Sequence, residues 1–293
     1  MRSARVLAQA KVNLILRVGA RDDSGYHVIA TLFHRLDLAD SIAVRLGGSV
    51  RALECVGPQL PARGLGDARQ NLAYRAAVAY AERASWIHGF AIELTKNIPV
   101  GGGLGGGSAD AGAVLRALDA LAPPQAALGA AALHDIAFTL GSDVPFLASE
   151  SVAAVGHGRG ERLQAVDPLP RRDVLLVVPD FGIATADAYR WLDADRPTAA
   201  PPTLSSALGD WDAVSDASAN DFEPVVESRH PELRRYREAL SAQGARIARL
   251  AGSGSSVFGV FEAAAPGAAD GAFDALVVRT RTSARVVQVE VLE

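Results

Sequence analysis

The chain has 293 residues, 49% of them hydrophobic and 21% charged, with a formal net charge of −4. That length fills the cores of two ordinary domains, and the acidic balance speaks against bulk electrostatic binding to nucleic acid or an anionic membrane. The one cysteine, Cys55, excludes an internal disulfide and a cysteine-based metal cluster, while the six histidines form no HExxH pair and no GxSxG elbow occurs.

The opening "MRSARVLAQAKVN" has no long apolar core or cleavage signal, and no stretch reaches membrane-span length, so a cytoplasmic protein is expected. "RVLAQAKVNLILRV" and "YHVIATLFHRL" read as long strands and "SIAVRL" as a third; "NLAYRAAVAYAERA" reads as an Ala-rich helix. In "GFAIELTKNIPV", Phe90, Ile92 and Leu94 alternate with polar neighbours, the pattern of a half-buried strand. Six glycines then occupy the seven positions 101–107, broken only by Leu104. Ala111, Leu115, Leu118 and Leu121 follow at helical spacing before Pro123-Pro124, with Ser108 as the expected N-cap and Asp110 in the first turn. "QAALGAAALHDIAFTL" is a further helical stretch, and "SVAAVG" and "DVLLVV" are short strands. Residues 196–203 read as a Pro-rich loop, and "PELRRYREALSAQG" as a helix started by Pro231 and stopped by Gly244. "VFGVF" and "ARVVQVEVL" read as strands, with a loop running into a helix over 262–272. Strands and helices without regular βαβ alternation predict an α+β fold. "DPLPRRD" suggests a boundary that divides the chain into 1–168 and 169–293.

The glycine run joins a strand directly to a helix start. A helix N-terminus offers unpaired N–H groups and partial positive charge, and glycines let the backbone approach an anion, so this geometry suits phosphate. The Walker form is excluded, because Gly107-Ser108-Ala109 carries no lysine. Gly101, Gly103 and Gly106 match GxGxxG formally, but the helix after them leads into another helix instead of a strand ending in an acid. Among 29 lysines and arginines only Lys11 and Lys96 are lysine. A lysine kept against such a bias suggests a need for a compact charge with a tunable pKa, and Lys96 sits just before the glycine run.

Four stretches, "AKVNLILRV…SGYH", "PVGGGLGGGSADA", "GSDVPF" and "LAGSGSSVFGVF", together with "NDFE", resemble the GHMP kinase superfamily in motif order along most of the chain, more strongly in the first half. Within it they resemble the members acting on cytidine diphosphate methylerythritol in non-mevalonate isoprenoid biosynthesis. The resemblance implies an α+β, two-domain GHMP kinase fold with the active-site cleft between domains, ATP and Mg²⁺ as cofactors, a small-molecule substrate, and no nucleic-acid, membrane or obligate protein partner. By the same resemblance, the loop of Pro99, Val100, Gly101, Gly102, Gly103, Leu104, Gly105, Gly106, Gly107, Ser108 and Ala109 would wrap the triphosphate, with Ser108 a candidate for the metal. Lys11 and Asp143 would flank the acceptor hydroxyl, with Asn13 beside it. Tyr26 would stack on cytosine and His27 hydrogen-bond to it; Thr185 and Tyr189, on one face of a helix, would supply a substrate contact and a second aromatic. Lys96 and Asn71 would lie near the nucleotide base. Two other classes remain open: a GHMP kinase for another small alcohol, of the homoserine or mevalonate type, and a non-catalytic nucleotide-binding paralogue. The sequence departs from the family pattern at Ala109, which removes a hydroxyl, at Gly112, which is expected to loosen its helix by up to ~1 kcal/mol, and at Ala251.

Overall fold

The computed structural model describes residues 2–23, 25–86, 89–195, 202–205, 208–265 and 273–292. Residues 196–201 of the expected Pro-rich loop, 266–272 of the Ala/Gly-rich stretch, and His88 lie outside them. The chain begins with two long antiparallel strands, β1 (Ser3–Arg21) and β2 (His27–Leu46), paired over almost their whole length. The two strands expected over 26–36 and 41–46 are therefore one. The intervening Asp37–Asp40 stays extended because Ala39 and Asp40 pair with β1 and Thr280 Oγ1 accepts from Leu38 N.

Short strands β3 (Arg51–Val56) and β4 (Phe90–Thr95) pair in parallel, and β4 borders the C-terminal part of β2; between them in sequence lies helix α1 (Leu72–Arg83). Helices α2 (Gly106–Leu121), α3 (Gly129–Leu140) and α4 (Val144–Ala148) cover this sheet. Strand β5 (Ala153–Gly158) borders the N-terminal part of β2 and pairs with β6 (Arg162–Val166).

The second sheet has the order β10-β7-β9-β8, built from β7 (Asp173–Val178), β8 (Ala245–Leu250), β9 (Val257–Phe261) and β10 (Leu276–Arg281). Helices α5 (Thr185–Asp195), α7 (Glu223–Glu227) and α8 (Pro231–Ala242) pack on it, and α6 (Trp211–Ala217) sits at the junction with the first sheet. The last strand, β11 (Glu290–Leu292), returns to the first sheet beside β1. Of the strand expected over 284–292, only these three residues pair. The preceding backbone is taken by side chains: Val287 N donates to Gln9 Oε1 (3.0 Å), and Arg116 donates to Val287 O (2.6 Å).

Strand β1 holds the two halves together. Ala4, Val6 and Ala8 pack under α2, Val12, Leu14 and Ile15 face the second sheet, and Leu16 and Val18 join the core beneath α5 and α7. Burial on both faces explains why its middle reads as a near-continuous apolar run.

Gly112 has a role opposite to the one its helix propensity suggests. A Cβ there would lie 2.6 Å from Leu147 C and 2.7 Å from Ala148 N. The missing side chain lets the backbone of α4 rest directly on α2. We expect Gly112→Ala to destabilise by about 1–3 kcal/mol, an overpacking cost that exceeds the helix-propensity gain. Urea unfolding checks this; equal or greater stability refutes the close-approach role.

His34 is fully buried, its ring 6.0 Å from that of Trp211. Nδ1 faces the Arg35 carbonyl at 2.8 Å, while Nε2 has no partner, so the ring has no place for a second proton. Burial lowers its pKa to about 4. Below the ordinary value of 6.5 the unfolded chain binds a proton that the folded chain refuses until about pH 4, so stability present above 6.5 is lost as pH falls through this window. The expected loss between pH 7 and pH 5 is about 2 kcal/mol, measured as the difference in that pH dependence between the parent protein and His34→Gln; identical slopes refute it.

Candidate active site

The glycine run forms a tight loop between β4 and α2. Its shape differs from the expected cap: Gly105, at φ 71°, is the N-cap, α2 begins at Gly106, and no side chain caps it. Ser108 is thus the third residue of the helix. Ala109 N reaches Gly105 O at 2.8 Å, so the N–H groups of Gly106, Gly107 and Ser108 are the ones without intrahelical acceptors. Not every glycine is there for an anion. A Cβ on Gly103 would lie 2.0 Å from Ala251 O, and one on Gly102 would lie 2.3 Å from Ser256 Oγ. These two let the loop lie against the turn at 251–256, where Ser256 N donates to Gly102 O (3.2 Å).

Lys11 enters from β1. The pairing of β1 with β2 is irregular between Gln9 and Lys11, and Lys11 N–H donates instead to Leu104 O at 3.0 Å. Its side chain passes beneath Gly105, where a Cβ would sit 3.0 Å from both Lys11 Cγ and Cε. The ammonium ends 2.7 Å from Asn13 Oδ1 and 3.1 Å from Asp143 Oδ2. Asn13 is fixed by donating to Thr31 Oγ1 (2.8 Å), which donates to Ile15 O (2.8 Å). Asp143 is the N-cap of α4 and remains partly exposed, whereas Lys11 is buried. The structure therefore brings together the ammonium, carboxylate and amide that the sequence spreads over residues 11–143.

Two cavities meet at the loop. One, about 380 Å³, is lined by Asn71, Leu72, Lys96, Val100 and the glycines. The other, about 370 Å³, is lined by Lys11, Asn13, Asp143, Thr185, Tyr189 and Ser253. Gly103, Gly105 and Ser108 belong to both walls. Both volumes suit small-molecule sites. A larger hollow of about 570 Å³ beside Arg116 and Glu150 holds none of these groups.

Lys96 lines the first cavity, but its charge is consumed within the protein. Its ammonium bridges Asp40 and Asp110 (2.7 Å to Asp110 Oδ2), and all three side chains are 3% exposed or less. Asp40 Oδ1 also accepts from Asn97 N (2.5 Å) and Ile98 N (2.8 Å). The cluster thus ties β2, the loop entrance and α2 together. Burial works against the Lys96 charge, but Asp110 and Asp40 outweigh it and raise its pKa. Burial raises Asp110 to about 8, with Lys96 opposing and Asp40 adding to the rise. Asp110, read from the sequence as a first-turn residue, is the fifth residue of α2 and points inward. Asn71 is the N-cap of α1, its Oδ1 accepting from Ala73 N at 2.9 Å.

On the far wall of the second cavity, α5 presents Thr185 and Tyr189, with Asp193 one further turn along the same helix face. Thr185 Oγ1 is 3.2 Å from Ser253 Oγ. The Tyr189 ring stacks on His27 at 4.8 Å, and burial, with the Asp143 charge adding, pushes its phenol up to about 12. Both ring nitrogens of His27 face protein oxygens: Nδ1 is 2.8 Å from Gly19 O and Nε2 is 3.0 Å from Asp193 Oδ1. A base that bonds this ring has to displace one of them. Tyr26 is exposed, and the Arg159 guanidinium covers its ring at 3.6 Å. Asp40, Thr31, Asp193 and Arg159 escaped the sequence reading. Only the scarcity of lysine pointed toward a buried ammonium, and nothing in the sequence named its partners.

The family descriptions "GHMP kinases N terminal domain" and "GHMP kinases C terminal" match residues 71–151 and 204–276. A 4-diphosphocytidyl-2-C-methyl-D-erythritol kinase of Anaeromyxobacter sp. (strain K) is 39% identical over 97% of this chain and 88% of its own length. The enzyme of the same name from Salinibacter ruber is 38% identical over 87% of this chain and 89% of its own. A crystal structure of 4-(cytidine 5′-diphospho)-2C-methyl-D-erythritol kinase superposes with TM-score 0.73 at 35% identity, covering 95% of this chain and 99% of that one. Homoserine kinase from Cytophaga hutchinsonii (TM-score 0.67, 18% identity, 99% and 97% coverage) shares the fold.

We expect Lys96→Met to destabilise the protein by about 3–5 kcal/mol, because it strands two buried carboxyl groups. Denaturant unfolding without nucleotide measures this, and a loss under about 1 kcal/mol shows that the cluster carries no such weight.

Proposed function

The chain belongs to the GHMP kinase family, and we propose that within it the protein transfers the γ-phosphoryl group of ATP to the 2-hydroxyl of 4-diphosphocytidyl-2-C-methyl-D-erythritol, a step of non-mevalonate isoprenoid precursor synthesis. The observation that carries this reading is the 3.1 Å approach of Lys11 to Asp143 in the second cavity, beside the glycines that it shares with the first. Donor and acceptor would then meet across Gly103, Gly105 and Ser108.

Phosphoryl transfer asks a protein mainly for positioning and charge neutralisation. The loop from Pro99 to Ala109 wraps the triphosphate, with the open N–H groups of Gly106, Gly107 and Ser108 directed at its oxygens. Mg²⁺ supplies further neutralisation of the phosphates, and the Ser108 hydroxyl, a hard oxygen donor on the shared wall, is the group proposed to hold it. Asp143 accepts the proton of the acceptor hydroxyl and aims the oxygen. The Lys11 ammonium stabilises the developing alkoxide, and Asn13 keeps that ammonium in place. Tyr26, His27 and Tyr189 make the aromatic side of the acceptor site, where a planar base suits the stacked rings better than an aliphatic amino acid or acid does. Thr185 contacts the substrate beside Ser253. Asn71 and Lys96 shape the wall near the nucleotide base, Lys96 through its buried ion pairs. The division at 168 gives the first segment the ATP loop and Lys11–Asp143, and the second part of the acceptor wall.

The test is a panel of acceptors with ATP and Mg²⁺. We expect turnover with the cytidine substrate, none with homoserine or mevalonate, and a fall in kcat of ~10²–10⁴ for Asp143→Asn. Activity on homoserine alone assigns a different alcohol. Nucleotide binding by calorimetry without turnover on any acceptor assigns a sensor, and an unchanged Asp143→Asn rate removes the proton-accepting role.

A further inference from the structure

Arg35 is 1% exposed and makes no ion pair with a carboxylate among the described residues. Burying a guanidinium this way is costly unless its N–H groups find acceptors. They find main-chain carbonyls: Nε donates to Ser151 O (2.9 Å), and one terminal nitrogen donates to Phe146 O (2.8 Å) and Ser149 O (2.9 Å). Its plane also lies 5.0 Å from the Phe146 ring centroid. Burial lowers its pKa to about 9, the nearby Arg116 adding to the fall, so it keeps its charge at neutral pH.

Those carbonyls belong to the C-terminal end of α4 and the chain leaving it, where helix dipoles favour a cation. The N-cap of the same helix is Asp143. Across β1 and β2, the residue directly opposite Arg35 is Lys11, which reaches Asp143. One cross-strand pair therefore grips both ends of one short helix, Lys11 at the carboxylate and Arg35 at the terminal carbonyls, while the backbone of Leu147 and Ala148 at its C-terminal end rests on Gly112.

We propose that Arg35 is a positioning residue for phosphoryl transfer: by holding the carbonyls of Phe146, Ser149 and Ser151 it fixes α4 so that Asp143 stands at Lys11. The inference rests on the roles given above to Lys11 and Asp143. Lysine cannot replace it, since a single ammonium does not reproduce the planar fork that reaches three carbonyls.

The experiment compares Arg35→Gln, Arg35→Lys and Val44→Ala, a core truncation elsewhere on β2, as purified full-length proteins. For both Arg35 variants we expect kcat per folded molecule to fall about 10²-fold, the scale of an ångström-size misplacement, with KM for ATP unchanged within about twofold. Faster amide exchange over 144–149 but not over 113–121 is expected alongside. Val44→Ala, at comparable loss of stability, should keep its kcat. If Arg35→Lys, the variant with the better chance of folding, retains kcat within about threefold, or if kcat falls no further than in Val44→Ala, Arg35 is merely structural. Unchanged exchange over 144–149 overturns the proposal without reference to activity. A parent protein inactive on the cytidine substrate refutes the function instead, and leaves the exchange measurement to decide Arg35.

Discussion

A buried ammonium must have its charge answered, and the contact of Lys11 with Asp143 does this in a way that enlists most of the fold. Lys11 is placed by β1, its main chain is bonded to the glycine loop, and its tip is shared by Asn13 and Asp143. Gly252, from the turn that follows β8, closes the remaining side: a Cβ there would lie 3.5 Å from the Lys11 nitrogen. Four chain segments far apart in sequence are thus fixed relative to one atom. Asp143 is the partner left partly open to solvent.

The glycine loop is held from below and from the side. Below it, the cluster of Lys96, Asp40 and Asp110 ties β2 to both ends of the loop, so the loop begins and finishes at fixed points. At its side, the 251–256 turn accepts the close approach that Gly102 and Gly103 permit, and Asn220 donates to Leu250 O and Gly252 O to hold that turn (2.8 and 2.7 Å). The loop is therefore a braced frame with three open N–H groups at its end. Each of the protein's two lysines is buried against carboxylates. Arginine, with its bulky fork, would not fit a single-point contact under Gly105.

The wall of the second cavity is shared between halves of the molecule. The face of α5 carrying Thr185, Tyr189 and Asp193 is set against His27 of β2 and Ser253 of the turn. Burial opposes the Asp193 charge, but Arg21 and His27 prevail and hold its pKa below the ordinary value. The wall is thereby stapled to the first sheet at the same place where the stacked rings lie.

The sequence alone determined the α+β class and the strand–glycine–helix unit. These follow from short-range signals: period-two alternation over 90–95, helical spacing over 111–121, and a glycine density with few other uses. Motif resemblance then linked Lys11, Asn13 and Asp143 before any geometry was known. Tertiary structure alone decided that β2 is a single strand, that Gly105 and not Ser108 caps α2, that Gly112 is a contact surface and not a weakness, and that Lys96 is spent on Asp40 and Asp110. Each of these depends on partners tens of residues away, such as Leu147 beneath Gly112 or Asp40 beside Lys96. Local sequence reports backbone preference and burial period, whereas which buried charge meets which, and where two backbones touch, exists only once the chain has packed.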